Sequence, residues 1–492
     1  MQIKVAVFKG EKNENILYII LISLFSLTVI SCSINDESAS TTTDTTAPVI
    51  AEVTAVTTPA TDTTPAYTFS SNEAGTITYG GSCTSSTTSA TSDNNTVTFS
   101  TLSVGTYSDC TIKVTDSSSN VSNTLTISSF VVHYKAASVT EGSDHACALF
   151  DNGSMQCWGY AANYRLGNGS TTSQSSPVNV SNIDNATAIA AGLHTCALLS
   201  GGTIKCWGSG SYGKLGNGST NDNSTPVSVS NISNATSISA GSSHSCAVLD
   251  NGTVMCWGAG DTGQLGNGST SHSNTPVAVS NIDNATAVTV SGGWSCALLG
   301  NGTVQCWGAG AMLGYGSTSD NSTPVSVSNI TTATGISTGP GSYTCAVLSG
   351  GTVKCWGEDS GGYGVLGNGS TSRQLTPVSV NNISNATAIS VGQYSACALL
   401  SGGTVKCWGR GSYGQLGNGS TSNSLTPVSV SNISTATALS NSGGSQFHCA
   451  LLSGGAIQCW GTDDEGKLGD GGTVPNGNTT NSEPVYVVGF GQ

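Results

Sequence analysis

Seven pairs of cysteines, each with nine residues between its members, are the most regular reactive groups in the chain: Cys147/Cys157, Cys196/Cys206, Cys246/Cys256, Cys296/Cys306, Cys345/Cys355, Cys397/Cys407 and Cys449/Cys459. Two chemistries suit them. Thiols that face each other across a hairpin oxidise to a disulfide, whereas two thiolates with an imidazole can hold zinc. His145, His194 and His244 each stand two residues before a cysteine, on the same strand face, so three pairs have a third zinc ligand at hand. The same slot holds Trp294, Tyr343 and Phe447 in other pairs. Those rings pack but do not ligate, and structural zinc sites use shorter cysteine spacings. Disulfides are the reading adopted, and no metal is assigned. Cys83 and Cys110 supply an eighth bridge, and Cys32 is left over.

A second candidate chemistry lies in "CWGSGSYGKLGNGST", where Gly208, Gly210 and Gly213 follow the G-x-G-x-x-G order of a dinucleotide-binding turn. That fingerprint needs a helix after the turn and a βαβ unit around it. No helical periodicity follows. The pattern recurs as Gly258/Gly260/Gly263 and Gly409/Gly411/Gly414, as turn punctuation would. No cofactor is expected. There is no Walker sequence, no serine in a strand–turn–helix G-x-S-x-G, and no acidic pair that recurs beside a base. No catalytic residue is assigned; a hydrolase or lyase in a central channel is the minor alternative. Asp463, Asp464 and Glu465 form an acidic run of a kind that can bind Ca²⁺.

The cysteines require a hairpin to position them. In "CAVLDNGTVMC", two strand-like runs flank a turn triplet whose Gly252 suits the left-handed region. Folding there sets Leu249 opposite Thr253 and Cys246 opposite Cys256, at about 4.5–5.5 Å between Cα atoms. First cysteines recur at intervals of 49, 50, 50, 49, 52 and 52. A full unit, Asn234 to Ser280, shows four short strands around "TSIS", "CAVL", "TVMCW" and "TPVAV" and no helix. Four strands per 50 residues fit propeller blades, and a closed ring of seven leaves no exposed sheet edge. The array opens on "AASVTEG" without a preceding "TPV" strand and closes on "EPVYVV" with no strand after it. Val485 to Val488 is therefore expected to pair beside Ala137 to Thr140 and join the two ends.

"HSCAVLDNGTVMCWGAGDTGQLGNG" resembles the repeat of the regulator of chromosome condensation family. The resemblance covers about residues 137–492. It implies a seven-bladed β-propeller. Local departures are "MLGYG" at Met312 to Gly316, "KLGDG" at Lys467 to Gly471, and the longer "EDSGGYGV" at Glu358 to Val365. The founding members exchange nucleotide on a small nuclear GTPase through an inserted wedge, and the even intervals here leave no room for one. Bacterial relatives include propellers that inhibit β-lactamases through aromatic-rich loops. By that resemblance, the segments between "CWG" and "LG" are the candidate partner-binding loops. Tyr160, Tyr164, Arg165, Tyr212, Met312, Tyr363, Arg410 and Tyr413 are their candidate contacts, being of types enriched at binding hot spots.

The N-terminal part differs. Lys4, Lys9 and Lys12 precede an apolar run from Ile16 to Ile30 that ends at "VISCS". This reads as an export signal, and "VISC" resembles the lipobox of bacterial lipoproteins, which implies lipidation of Cys32. The expected organisation is a signal peptide over 1–31, a polar tether over 32–46, a small β-sandwich over 47–134 and the propeller over 135–492. "DTTAPVI" and "VTDSSSNVSNTLT" in the sandwich resemble bacterial immunoglobulin-like repeats. The fold class expected is thus all-β, an immunoglobulin-like sandwich followed by a seven-bladed propeller. Net charge is −14 with 8% charged residues, which disfavours nucleic acid. The resulting expectation is a monomeric lipoprotein of the bacterial cell envelope, in the outer membrane or at the cell surface. It touches membrane only through its lipid, and its disulfide-stapled propeller binds another protein or an envelope or host ligand. The alternative is an inhibitor of a specific secreted or periplasmic enzyme.

Overall fold

A computed structural model describes residues 43–58, 60, 62–440, 446–472 and 479–490. The signal segment, Cys32 and the tether up to residue 42 lie outside the described residues. Among the described residues, the regular elements are β-strands and short 3₁₀ turns.

Alternation of apolar and hydroxyl residues builds the first domain. In "AYTFSS", Tyr67, Phe69 and Ser71 turn inward while their neighbours face out. Strands Ile50–Thr54, Ala66–Ser71 and Asn94–Thr98 form one sheet. A second sheet runs Ser89–Ala90, Gly75–Gly80, Thr111–Thr115, Leu125–Thr126. A single core of Tyr67, Phe69, Val97, Ile77, Ile112 and Val114 joins the two into a sandwich. The disulfide Cys83–Cys110 lies at the end of the second sheet, just beyond the facing pair Gly80 and Thr111, with 5.3 Å between Cα atoms.

Among the described residues, the repeats form seven four-stranded antiparallel sheets, each contiguous in sequence. The first comprises Ala136–Glu141, His145–Phe150, Met155–Gly159 and Gln174–Asn179, from innermost to outermost strand. Each innermost strand packs against that of the next sheet, and Ala136–Glu141 also packs against Ala436–Leu439 and Phe447–Leu452 of the last. The ring is closed, as a propeller requires.

The cysteine pairs sit opposite each other on the second and third strands of every sheet, and each pair is bonded sulfur to sulfur. The seven bridges are Cys147–Cys157, Cys196–Cys206, Cys246–Cys256, Cys296–Cys306, Cys345–Cys355, Cys397–Cys407 and Cys449–Cys459. The pairing is the one expected, but the spacing is not. Their Cα atoms lie 4.0–4.1 Å apart, closer than the 4.5–5.5 Å of an average facing pair. The hairpin explains this correction. Leu249 N–H bonds to the Thr253 carbonyl, so hydrogen-bonded and open pairs alternate inward from there. Cys246/Cys256 falls on an open pair, where facing residues are nearest. The same bond closes the other six hairpins, for example Phe150 to Ser154 and Leu199 to Thr203, at the same distance from the sulfurs. Cys157, Cys206, Cys306, Cys355, Cys407 and Cys459 therefore all face their partners from open positions.

The recurrent "CWG" and "LG" are one device split between neighbouring blades. Each "CWG" Trp donates its indole N–H to the carbonyl just before the Leu-Gly of the preceding blade, as Trp207 does to Arg165 (3.1 Å) and Trp307 to Gln264 (2.9 Å). Trp158 completes the circle on Lys467, 309 residues away, at 3.0 Å. The Leu-Gly glycine lies under that indole with positive φ. At Gly266 (φ 70°), a Cβ would stand 2.6 Å from Trp307 Nε1. Gly266→Ala therefore meets both a left-handed backbone and a clash. It should cost about 2–4 kcal/mol and lower the melting temperature measurably in calorimetry. An unchanged transition would refute the packing argument.

The ring does not close as expected from the sequence. Val485 pairs with Cys459 inside the last blade, and Val139 pairs with Ala148 inside the first. The "EPVYVV" strand is simply the outer strand of its own blade. The expectation failed because "ATAIS" is the innermost strand of a unit and "TPV" the outermost, so the chain ends coincide with blade boundaries and no strand is shared. Closure uses side chains instead. Phe490 stacks on Phe150 at 5.3 Å and leans on Trp158 at 5.7 Å. Glu141, fully buried in the first blade, accepts hydrogen bonds from the Ser440 hydroxyl and the Cys449 N–H of the last.

Candidate functional site

The antiparallel blade has two ends with different contents. At one end emerge the short hairpins between second and third strands and the "SNI" links to the next blade. At the other emerge the turn between first and second strands and the whole "CWG"-to-"LG" segment. All seven variable loops therefore share one face. The sandwich meets the opposite one: Asp62 and Leu102 line a cleft of about 550 Å³ with Asp151 and Asn152, which belong to the first blade's hairpin. The variable face points away from the sandwich.

The residues two before each first cysteine are not metal ligands in this arrangement. Each reaches across to the next blade. His145 Nε2 meets Thr195 Oγ1 at 2.8 Å, His194 meets Ser245 Oγ at 2.6 Å, and His244 meets Ser295 Oγ at 2.7 Å. Those hydroxyls donate to the carbonyls of Arg165, Lys214 and Gln264, so each imidazole must be the donor through Nε2–H. Trp294 Nε1 donates to Thr344 Oγ1, and Tyr343 OH donates to the Ser395 carbonyl. Ser395 Oγ meets His448 Nε2 at 2.9 Å. Phe447 has no polar group to offer, and across the closing seam its counterpart is Ala146, in the same apolar cluster. Donor and acceptor are thus matched from blade to blade along the chain.

Burial holds these histidines neutral. It lowers His145 and His194 well below the ordinary imidazole value, helped by the charges of Arg165 and Lys214 respectively. It lowers His244 to about 3, against the pull of Asp261, and His448 to about 4.

Along the axis, Glu141, Ala191, Ala240, Val290 and Thr338 border a cavity of about 20 Å³. That is about the space one water occupies. The blades approach there backbone to backbone: a Cβ on Gly192 would lie 2.1 Å from the Gly241 carbonyl oxygen.

On the variable face the eight candidate contacts divide. Arg165 is only 5% exposed. Its guanidinium covers the Tyr160 ring at 4.9 Å and pairs with Asp144 at 3.6 Å. Lys467 of the last blade pairs with the same Asp144 at 3.5 Å, so Arg165 belongs to the ring-closing network. Met312 packs with the core around Trp356, whose indole bonds to its carbonyl. Tyr164 (φ 60°) and Tyr212 (φ 62°) stand in the left-handed region at loop tips. Tyr212 is 52% exposed and meets the His272 ring edge at 5.0 Å. Arg410, Tyr363 and Tyr413 come together around a residue not anticipated, Tyr394. The guanidinium of Arg410 lies 5.1, 5.5 and 4.4 Å from the rings of Tyr363, Tyr394 and Tyr413. Tyr394 lies in "GQYSAC", outside the "CWG"-to-"LG" windows, but its carbonyl accepts the Arg410 N–H. That register contact was the signal available to find it.

The acidic run does not converge. Asp463 Oδ1 accepts the Leu468 N–H, Asp464 pairs with Lys467 at 3.2 Å, and Glu465 sits at the loop tip with φ 60°. Burial pushes the Asp463 carboxyl up to about 6, with Asp470 and Asp464 adding to it.

The regulator of chromosome condensation (RCC1) repeat model matches residues 152–199, 202–248, 251–299, 350–399 and 402–451. A second model of the same repeat matches 187–214, 235–264 and 386–415. The stretch 300–349, which holds the altered "MLGYG", is unmatched yet folds into the same strands. No curated protein sequence matches the chain. Among solved structures, human WBSCR16 is similar at 19% identity and TM-score 0.58, over 65% of this chain and 88% of that one. Yeast RCC1 (Prp20), solved bound to Kap60, is similar at 18% identity and TM-score 0.58, over 72% and 85%. Prp20p of Saccharomyces cerevisiae, solved in a study of its binding to Gsp1p and histones, gives 19% identity and TM-score 0.57, over 72% and 87%. At such identities the likeness establishes the propeller fold.

Proposed function

We propose that this chain, a propeller built of regulator of chromosome condensation repeats, binds another protein through its variable-loop face. The observation that carries the reading is the distribution of side chains. The strands, Trp contacts and disulfides repeat almost unchanged from blade to blade, while tyrosines and an unpaired arginine gather on one face, clear of the sandwich. Tyrosine and arginine give large contact area at modest entropic cost, and such groups dominate interface energetics. Two of the tyrosines are held in left-handed backbone, a conformation that bulky residues rarely adopt and that clusters at functional positions. The similar yeast Prp20p binds proteins, Gsp1p and histones.

The export signal and the lipobox-like "VISC" extend the reading to a head held off a bacterial envelope membrane by the sandwich and the tether, anchored through lipid on Cys32. An inhibitor of an envelope or secreted enzyme would use the same face.

The test is capture from envelope and host extracts by the full exported chain. The combined variant Tyr164→Ala, Tyr212→Ala, Tyr363→Ala, Tyr413→Ala should lose the partner by at least tenfold in affinity while keeping a cooperative thermal transition. Undiminished capture by that variant would remove the variable face from consideration.

A further inference from the structure

The chain has three arginines, and two are neutralised locally: Arg165 by Asp144, and Arg373 by Glu358 at 3.8 Å. Arg410 has no carboxylate partner among the described residues. Its Nε donates to Ser412 Oγ at 2.7 Å, and three tyrosine rings surround the guanidinium. The Tyr394 hydroxyl accepts from Gln393 Nε2 at 3.2 Å, which fixes that ring from outside the cluster. Of the two acids in the Tyr363 loop, Glu358 is taken by Arg373, and Asp359 accepts the backbone N–H groups of Tyr363 and Gly364.

We propose that Arg410, set among Tyr363, Tyr394 and Tyr413, receives an acidic side chain of the partner, presented by a peptide segment with apolar residues beside the carboxylate. This rests on the protein-binding reading above and names its chemistry at one point. A guanidinium stacked on aromatic faces loses little further entropy when its terminal N–H groups take up a carboxylate bidentately. The rings that hold it then offer apolar surface to the neighbouring residues. The geometry favours a peptide over an acidic sugar. Tyr363 and Tyr394 meet edge to face at 69° and Arg410 takes one face of each of the three rings, so the apolar surface offered is angled and broken, which suits branched side chains better than the flat stack a pyranose makes.

The probe is a fluorescent hexapeptide of alternating glutamate and leucine, titrated at low salt into the full exported chain, with its glutamine–leucine counterpart and trigalacturonate as comparisons. The acidic peptide should bind at least tenfold tighter than the glutamine peptide. Arg410→Gln should remove that preference, Arg410→Lys should restore part of it, and Arg373→Gln should leave it within twofold. Equal binding of both peptides, or an acidic preference that survives Arg410→Gln, overturns the proposal. Trigalacturonate binding more tightly than the peptide in an Arg410-dependent way overturns it in favour of an acidic sugar. If Arg410→Gln still captures the cellular partner while the four-tyrosine variant does not, this inference falls and the protein-binding reading stands.

Discussion

Removing residues 481–492 should destroy the cooperative thermal transition of the propeller, although the deleted piece holds only one strand of one blade. Thr480–Tyr486 is the outer strand of the last blade, and without it the third strand becomes a bare edge. The larger loss lies beyond that strand. Val487 is fully buried, and Phe490, only 1% exposed, fills the place that Ile183, Ile232 and Ile282 fill in other repeats. Its ring lies nearly parallel to Phe150 (4° between planes) and tilts onto Trp158, so it fastens the last blade to the first. Phe490→Ala alone should cost about 3–5 kcal/mol and move the midpoint by roughly 5–15 °C, measured by differential scanning calorimetry. A midpoint within 2 °C or so of wild type for either variant would show that closure rests elsewhere.

Acid should unfold the propeller over a range in which exposed histidines are harmless. An unfolded imidazole titrates near 6.5. His244 and His448 titrate at about 3 and about 4 in the fold, and His145 and His194 are also lowered. Below pH 6.5 the unfolded chain therefore binds protons that the folded chain refuses, so stability is full above that pH and is lost as pH falls toward the folded values. By pH 4 His244 removes about 3 kcal/mol, and His145, His194 and His448 add in the same direction. Asp463, raised to about 6, works the other way: its fold holds a proton more tightly, which favours the folded state as pH falls from about 6 toward 4. One carboxyl offsets about one histidine and leaves the sign unchanged. Urea titrations at pH 7.5, 5.5 and 4 should show falling stability, and His244→Gln, which can keep the bond to Ser295, should flatten the slope. A flat profile for the wild type would contradict the buried neutral imidazoles.

Much of this architecture can be read from the residues, because it is local and repeated. The nine-residue cysteine spacing with a "DNG" or "SGG" turn dictates a hairpin with facing sulfurs, and four strand-like runs per 50 residues dictate a blade. What could not be read depends on contacts between loops and between neighbouring blades. Arg165 and Tyr212 occur in similar loops, yet Arg165 is buried because it fills the place before Leu-Gly that Lys214, Gln264, Gln415 and Lys467 fill in other blades, with Asp144 beside it, whereas Tyr212 stands two places before that position, at the loop tip. Tyr394 escapes a reading by loop because it precedes a second strand rather than following a "CWG". The strand pairing expected between the chain ends was wrong because repetition gives the period of a blade but not its phase. The matching of His145 with Thr195, or Phe447 with Ala146, is written in the sequence, but it becomes visible only once neighbouring blades are known to touch at those positions.

The central claim is that the variable-loop face is where a partner docks. Hydrogen exchange on the full chain, with and without the captured partner, bears on this without relying on mutants. Exchange should slow in residues 160–165, 209–214, 358–364, 392–394 and 410–415, with the hairpins at 151–153 and 250–252 on the opposite face unchanged. Protection confined to those hairpins, or to the cleft beside the sandwich, would contradict it.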